Sequence, residues 1–380
     1  MSKIDVVKVG CKREMDDFIR LPYRIYENCA QYVPDLEREI RNLFNEKKNP
    51  ACSFSQIQPF VAYRDGECVG RVVGIINRKA NEKWQTRNVR FSLIEFVDDL
   101  DVSKALLEAV SQWGKSLGME AIHGPLGITD FDKEGMLVED FHLMGSMNTV
   151  YNQEYYPRHM EALGFEKEVD WVQIRINVPK EVPARYARTA QYAREQIGLR
   201  VEKLDKFGRK KLEYGRKVFE LFNEAYAPIF GFSEISLDQA DIFLKKYISL
   251  IDLKLIPIVF NEKDEIVGVA ATMCSLSKAM QKAKGKLWPF GWWPLLKGLK
   301  WCCEDNAEML LVAVRPDYQG MGVNALFFDD LIPIYNKYGI RWAETGPQLE
   351  DNVRELTQWK PLQPEYVKRR RCFTRSLIDS

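Results

Sequence analysis

Histidine is nearly missing from this chain: His123, His142 and His159 are the only three in 380 residues. No Cys-x-x-Cys pair occurs among the eight cysteines, scattered at Cys11, Cys29, Cys52, Cys68, Cys274, Cys302, Cys303 and Cys372. A zinc site therefore has little support, and no metal is expected. The same scatter makes reduced thiols the simplest expectation. Cys68 and Cys274 lie in apolar runs and read as small core residues. Without a matched Ser or Cys partner the histidines form no catalytic triad. His142, near Asp132, Glu139 and Asp140, could contribute to an acceptor cleft. Net charge is missing too, since 55 Lys and Arg against 54 Asp and Glu leave +1. Domains that bind nucleic acid through bulk charge are clearly basic, so no nucleic-acid partner is expected. Long apolar runs are also absent. None approaches the ~20 residues that span a bilayer, and no apolar stretch of signal-peptide type follows Met1. A cytoplasmic chain is the expectation.

What is present suits a protein of two or three domains with large cores: 46% hydrophobic and 12% aromatic residues. Residues 12–48 read as helical, with a break at Val33-Pro34. Phe60–Tyr63 and Cys68–Ile76 flank Asp65-Gly66, a good hairpin signal. A strand over Val89–Phe96 leads to a helix from Ser103, a plausible N-cap, to Leu117, where Gly118 ends it. A short strand at 121–123, a helix over Tyr155–Leu163 and a strand over Trp171–Ile176 follow. Pro179–Arg200 reads as a connector with a charged helix. Beyond it come helices at about 206–225 and 237–251, then a second hairpin, 255–260 and 266–271.

That hairpin exposes a repeat. Pro59, Val61, Val69 and Gly70 each match a residue 198 positions later, at Pro257, Val259, Val267 and Gly268. The next strand aligns Phe91 with Met309 at an offset of 218, and an insert at about 278–300 accounts for the extra 20 residues. Further on, Asn152 matches Asn352. The element order is the same in both halves, which suggests tandem copies of one domain. The boundaries read as 1–178, a connector at 179–200, and 201–380.

The chemistry concentrates between Met309 and Tyr338. An apolar strand, Met309–Val314, runs through Arg315-Pro316-Asp317-Tyr318 into Gln319-Gly320-Met321-Gly322-Val323-Asn324, and a helix opens at about Ala325. Strand, glycine loop and helix N-terminus together make a phosphate cradle of backbone N–H groups. Gly320-x-Gly322-x-x-Ala325 fits the dinucleotide fingerprint, with Glu344 placed where a ribose-binding acid would stand. However, Arg315–Gln319 separate the strand from the glycines. Only 55 residues remain after Ala325, too few for the further βα units of a dinucleotide fold. Val-x-Pro-x-Tyr-Gln-Gly-x-Gly, here Val314 to Gly322, resembles instead the acyl-CoA pyrophosphate loop of the GCN5-related N-acetyltransferase (GNAT) superfamily. Gln319 and Gly322 are in register with that pattern, and Asn324 departs from its last small-residue slot. In the first half the matching loop, Val97–Val102, has no glycine and carries Asp98, Asp99 and Asp101, which would repel a polyanion.

The resemblance implies an α/β (α+β) fold. It would hold two tandem acyl-CoA N-acyltransferase-like domains, each a mixed, mostly antiparallel central sheet flanked by helices. It implies acetyl-CoA or a longer acyl-CoA as co-substrate in the second copy only. The backbone around Val312 and Val314 would bond the pantetheine arm, and the N–H groups of Gln319, Gly320, Met321, Gly322, Val323 and Asn324 would cradle the pyrophosphate. Asn352 falls where the family has an Asn facing the cofactor arm, and it also reads as a helix cap. The family's tyrosine acid is replaced seven residues on from Asn352 by Trp359, leaving Tyr366 as the nearest tyrosine. Glu344 is the candidate base.

The insert, 278–303, holds four of the nine Trp, six Lys and no acid. Such a composition suits a segment lying at a membrane surface, a lid over a greasy substrate, or a flap packed on the core. The basic run Lys368–Arg371 reads as a solvated edge, or as a contact for the cofactor's ribose phosphate or an acidic headgroup. The resulting expectation is an N-acyltransferase acting on a small-molecule or lipid-like amine, with possible peripheral membrane contact. A fold that has lost catalysis, or acyl transfer from an aminoacyl-tRNA, are the alternatives.

Overall fold

A computed structural model describes residues 3–129, 131–247 and 251–378. In chain order its elements begin with β1 (Ile4–Lys8), α1 (Lys12–Ile25), α2 (Glu37–Leu43), β2 (Ser55–Arg64), β3 (Glu67–Asn77) and α3 (Arg78–Trp84). β4 (Asn88–Phe96), α4 (Leu100–Ser116), β5 (Ala121–Gly124), β6 (Met136–Leu137), α5 (Tyr155–Ala162) and β7 (Glu166–Asn177) complete the first half. Then come α6 (Ala184–Gln196), β8 (Arg200–Lys203), α7 (Lys211–Tyr226), α8 (Leu237–Tyr247), β9 (Pro257–Phe260) and β10 (Ile266–Cys274). The insert forms α9 (Ser277–Ala283) and α10 (Trp292–Trp301). The chain finishes with β11 (Asn306–Val314), α11 (Val323–Tyr338), β12 (Trp342–Thr345), β13 (Gln348–Leu349), α12 (Val353–Thr357) and β14 (Glu365–Ser376). The end of the helix expected to run to residue 251 lies in part outside the described residues.

The chain forms two compact units. Unit 1 takes residues 1–172 and, from later in the chain, Met280–Trp292 and Lys368–Ser380; unit 2 takes 173–279 and 293–367. Sequence boundaries at 178 and 201 miss these returns, because a return is fixed by strand pairing and packing. In unit 1, β1, β2, β3 and β4 pair antiparallel in turn, β4 pairs β5 in parallel, and β5 pairs β14 antiparallel. In unit 2 the second half of β7 pairs β12 antiparallel, β12 pairs β11 in parallel, and β11, β10, β9 and β8 continue antiparallel.

The repeat has a packing cause. A Cβ on Gly70 would stand 2.7 Å from Leu106 and 2.9 Å from Val102, both on α4. A Cβ on Gly268 would stand 2.5 Å from Val323 and 3.1 Å from Phe327, both on α11. In each half the glycine lets the helix after the fourth strand lie directly on the sheet. Those helices carry the cores: Val102, Leu106 and Val110 in one, Leu326, Leu331 and Tyr335 in the other.

Three local expectations are corrected. Asp99, not Ser103, caps α4, accepting from Asp101 N at 3.0 Å, because its carboxylate satisfies an orphan N–H at the helix start. Asn152 and Asn352 do different work: Asn152 is buried and bonds both backbone groups of Leu137, whereas Asn352 caps α12. Cys274 is no isolated core thiol, since it forms a disulfide with Cys302. Their separation of 28 residues closes the insert at its base. Such a closure stabilises by about 3 kcal/mol in the chain-entropy picture. No helix among the described residues is long and apolar enough to cross a membrane.

Candidate active site

The parallel pair β11–β12 stays together only from Asn306/Trp342 to Met309/Thr345. Past that point β11 continues to Val314 paired with β10 only, and Leu310, Leu311, Val312 and Val314 are half-buried there although they lie inside a sheet. The pairing with β10 decides which groups face the gap. Arg315 N donates to Val267 O at 2.9 Å, and residues two apart on a strand face the same way. The N–H and C=O groups of Val312 and Val314 therefore turn away from β10, into the opening. Val312 O accepts from the Tyr226 hydroxyl at 2.9 Å.

At the end of this edge the chain makes the glycine loop. Gly320 (φ +82) and Gly322 (φ +87) are both left-handed, and Gly322 is the N-cap of α11 with no side chain capping it. Gln319 N and Met321 N donate within the loop, to Pro316 O at 3.4 Å and Tyr318 O at 3.2 Å, which corrects the expectation of six converging donors and leaves the N–H groups of Gly320, Gly322, Val323 and Asn324 for an anion. The 16-residue helix adds the positive end of its dipole. Space above Gly320 is open, and Met321 is exposed. Gly322 backs onto α6, where a Cβ would meet Thr189 and Ala193 at 3.1 and 3.2 Å.

Beside the loop lies a cluster of polar groups with unsatisfied capacity. Asn324 Nδ2 donates to Gln358 Oε1, and Gln348 Nε2 reaches Glu355 Oε1 at 3.3 Å. Asn324 Oδ1, Gln348 Oε1 and Trp359 Nε1 are buried and have no partner. Orphans of this kind cost ~1–3 kcal/mol each unless something else satisfies them. A ligand arm rich in amides and phosphates would do so, which makes the residues here fit a CoA thioester. Trp359 itself is core, its ring edge-on to Phe328.

Glu355 was not singled out from sequence. Burial pushes its carboxyl up to about 7, opposed only by a hydrogen bond from Gln358. Asn352 Oδ1 accepts from Glu355 N at 3.3 Å and so fixes the start of its helix. An acid three residues past a capping Asn was the available signal.

Glu344 is buried and stands beside Glu308 in register across β12 and β11. Ala307 and Ala343 pack in the core that contains α11, so both glutamates face the other side of the sheet. Glu344 accepts from Gln173 Nε2 at 2.9 Å and pairs with Arg175 at 3.0 Å. Glu308 Oε1 accepts from Ser275 at 3.0 Å and Ser277 at 3.2 Å. Tyr366, by contrast, is 51% exposed on β14 and makes no hydrogen bond among the described residues.

Unit 1 treats the equivalent ground differently. Val97 N donates to Val69 O at 3.1 Å, so Phe96, at the offset of Val314, turns its backbone into the gap. Both groups are taken: Phe96 N donates to the Tyr156 hydroxyl at 3.1 Å, and the Tyr155 hydroxyl donates to Phe96 O. Asp98 pairs with His159 at 3.0 Å and Asp99 with Arg64 at 2.6 Å. Beneath this, Glu95 Oε2 accepts from Tyr26 at 2.6 Å and Tyr156 at 2.7 Å, with Arg71 at 3.8 Å. Burial raises the Glu95 carboxyl and Arg71 opposes the rise. The cluster borders a cavity of about 30 Å³ reached by Lys133, Asn152 and Tyr151. His123, Glu168 and Cys372 also meet in this unit, their ligand atoms within 4.8 Å of one another. Each is already engaged, Glu168 accepting from the Cys372 thiol at 3.2 Å and pairing with His123 at 3.0 Å.

No family model matches the sequence. Among solved structures, a tandem GNAT protein from the clavulanic acid biosynthesis pathway superposes with TM-score 0.57 at 12% identity, covering 100% of both chains. The fold is that of a tandem GNAT protein. Among curated proteins, the bacterial ceramide synthase of Caulobacter vibrioides is 26% identical over 320 residues, 84% of this chain and 82% of that one. Protein YghO of Escherichia coli is 25% identical over 380 residues, 96% of this chain and 94% of that one. Both GNAT-type copies conform to the expected mixed, mostly antiparallel sheet with flanking helices.

Proposed function

We propose that this chain is an acyl-CoA-dependent N-acyltransferase that moves an acetyl or longer acyl group to an amine acceptor, with one cofactor site per chain, in unit 2. The observation that carries the reading is the β11 edge that β12 leaves unpaired beyond Met309, ending in the Gly320–Gly322 loop at a helix N-terminus, with orphaned polar groups beside it. The matching edge in unit 1 is filled by Tyr155 and Tyr156. A lipid-like acceptor and a fatty acyl donor are favoured by the likeness to a ceramide synthase, since a ceramide is the amide of a fatty acid and a long-chain amine. A cytoplasmic setting goes with that donor, and there the Cys274–Cys302 pair meets a reducing pool.

Bound acyl-CoA would supply an activated thioester. In this reading the N–H groups of Gly320, Gly322, Val323 and Asn324 hold its pyrophosphate, and the N–H groups of Val312 and Val314 bond the pantetheine arm. That same edge steadies the negative charge developing on the acyl oxygen. Glu344 takes the proton from the acceptor amine. Glu355 returns a proton to the departing sulfur, in place of the exposed Tyr366, because a carboxyl near 7 is half protonated at working pH. Asn352 acts through Glu355 by capping its helix.

Thermal unfolding with acetyl-CoA and with long-chain acyl-CoAs tests the reading. A ligand at a hundred times its Kd adds about 2.7 kcal/mol of stability, which raises the midpoint. No rise with any CoA species overturns the proposal. Turnover tests Glu355 separately. A general acid must hold its proton, so kcat should fall as pH rises through about 7. Glu355→Gln should lower kcat by about a hundredfold and abolish that falling arm. A variant with the wild-type pH profile removes Glu355 from the chemistry.

A further inference from the structure

The insert takes no part in the site described above, yet its rings are the most exposed large hydrophobics of the described residues. Trp288 is 81% exposed and Phe290 79%. Exposed Lys282, Lys284 and Lys286 precede them, and no acid occurs anywhere from Ser277 to Cys303.

This tip is held in place. Gln281 Nε2 donates to the carbonyls of Ala30 at 2.8 Å and Tyr32 at 3.0 Å. Glu37 N donates to Gly285 O at 2.8 Å. Gly285 sits so close to Tyr23 that a Cβ there would lie 1.9 Å from its hydroxyl. Its φ of +74 is one that only glycine takes readily. All these residues belong to unit 1. The chain thus spends backbone bonds and a packed glycine to hold a Trp and a Phe out in water.

We propose that Met280–Trp292 is a membrane-docking element, with Trp288 and Phe290 entering the headgroup region of a bilayer that carries anionic lipid and the lysines meeting its phosphates. Aromatic rings favour that depth, and each lysine near such a surface is attracted by the leaflet's negative potential. The packed-flap alternative fails because the rings are not packed. Docking would place the enzyme where a long-chain amine resides, although the proposal rests on ring exposure and charge, not on the acyl-CoA reading.

Co-sedimentation of the full chain with vesicles tests it. Vesicles of phosphatidylcholine mixed with phosphatidylglycerol should bind, more strongly than phosphatidylcholine alone, and added salt should weaken the difference. Trp288→Ala with Phe290→Ala should lower partitioning by at least about tenfold. Lys282→Glu, Lys284→Glu and Lys286→Glu together should erase the preference for the anionic vesicles. Each variant's thermal midpoint, with and without acyl-CoA, should match the wild type. Loss of the acyl-CoA response in the wild type would strike the function and leave docking standing. Absence of sedimentation with either vesicle overturns the proposal. So does a double variant that sediments normally but turns over a detergent-dispersed amine poorly, which would make the segment a lid.

Discussion

Met321→Glu lowers acyl-CoA affinity by about ten- to hundredfold while leaving the unfolding midpoint of the free protein unchanged. Met321 is exposed and stands between the two left-handed glycines, so its side chain contributes little to packing. Its backbone N–H survives the substitution, and only charge is added. One negative charge about 6 Å from a phosphate is repelled by about 1–3 kcal/mol at effective dielectric constants of 20–40. Titration by calorimetry at two salt concentrations checks it, because repulsion at an exposed site shrinks as salt rises. Gly322→Val would reduce binding too, but less informatively. It forces a left-handed φ of +87 on a branched residue and drives its side chain into Thr189 and Ala193, so the fold itself would suffer. Wild-type affinity in Met321→Glu would remove the phosphates from this loop.

Much of the architecture was readable because it is local or periodic. Asp65-Gly66 marks a hairpin, left-handed Gly118 follows the end of α4, and Gly70 and Gly268 recur because each must clear a helix. The cradle was readable for the same reason: strand, glycines and helix are consecutive. What escaped was set by pairing across distance. Glu95 meets Tyr26 from 69 residues away and Tyr156 from 61. The return of 280–292 and of 368–380 to unit 1 leaves no mark on composition. By charge, the basic run Lys368–Arg371 reads as a solvated edge, or as a contact for a ribose phosphate or an acidic headgroup. Instead Lys368 and Arg370 are buried, and Arg371 is tied to Asp170 at 2.8 and 3.0 Å. Cys274 and Cys302 come together only because the insert folds back. Glu355 is ordinary in sequence, and its raised carboxyl is a product of burial alone.

Glu95→Ala destabilises unit 1 by about 3 kcal/mol or more, the largest effect on stability expected of any single polar substitution here. The carboxylate accepts from two buried tyrosines and faces Arg71, itself 3% exposed. Removing it strands the guanidinium without its counter-charge and two hydroxyls without their acceptor, which is where breaking a buried pair costs most. Glu95→Gln also takes away the counter-charge but keeps an acceptor for the tyrosines, so it should cost less than Glu95→Ala by about 1 kcal/mol. The two variants differ in pH dependence as well. Burial raises the folded-state carboxyl above its ordinary 4.5, so between those values the folded form holds more protons than the unfolded. That contribution is full below 4.5 and is lost as pH rises through the raised value. Glu95→Gln should flatten that part of the stability curve, measured by urea unfolding from pH 4 upward. A slope unchanged by the substitution would mean that some other buried acid, such as Asp132, whose carboxyl is also raised by burial, controls it.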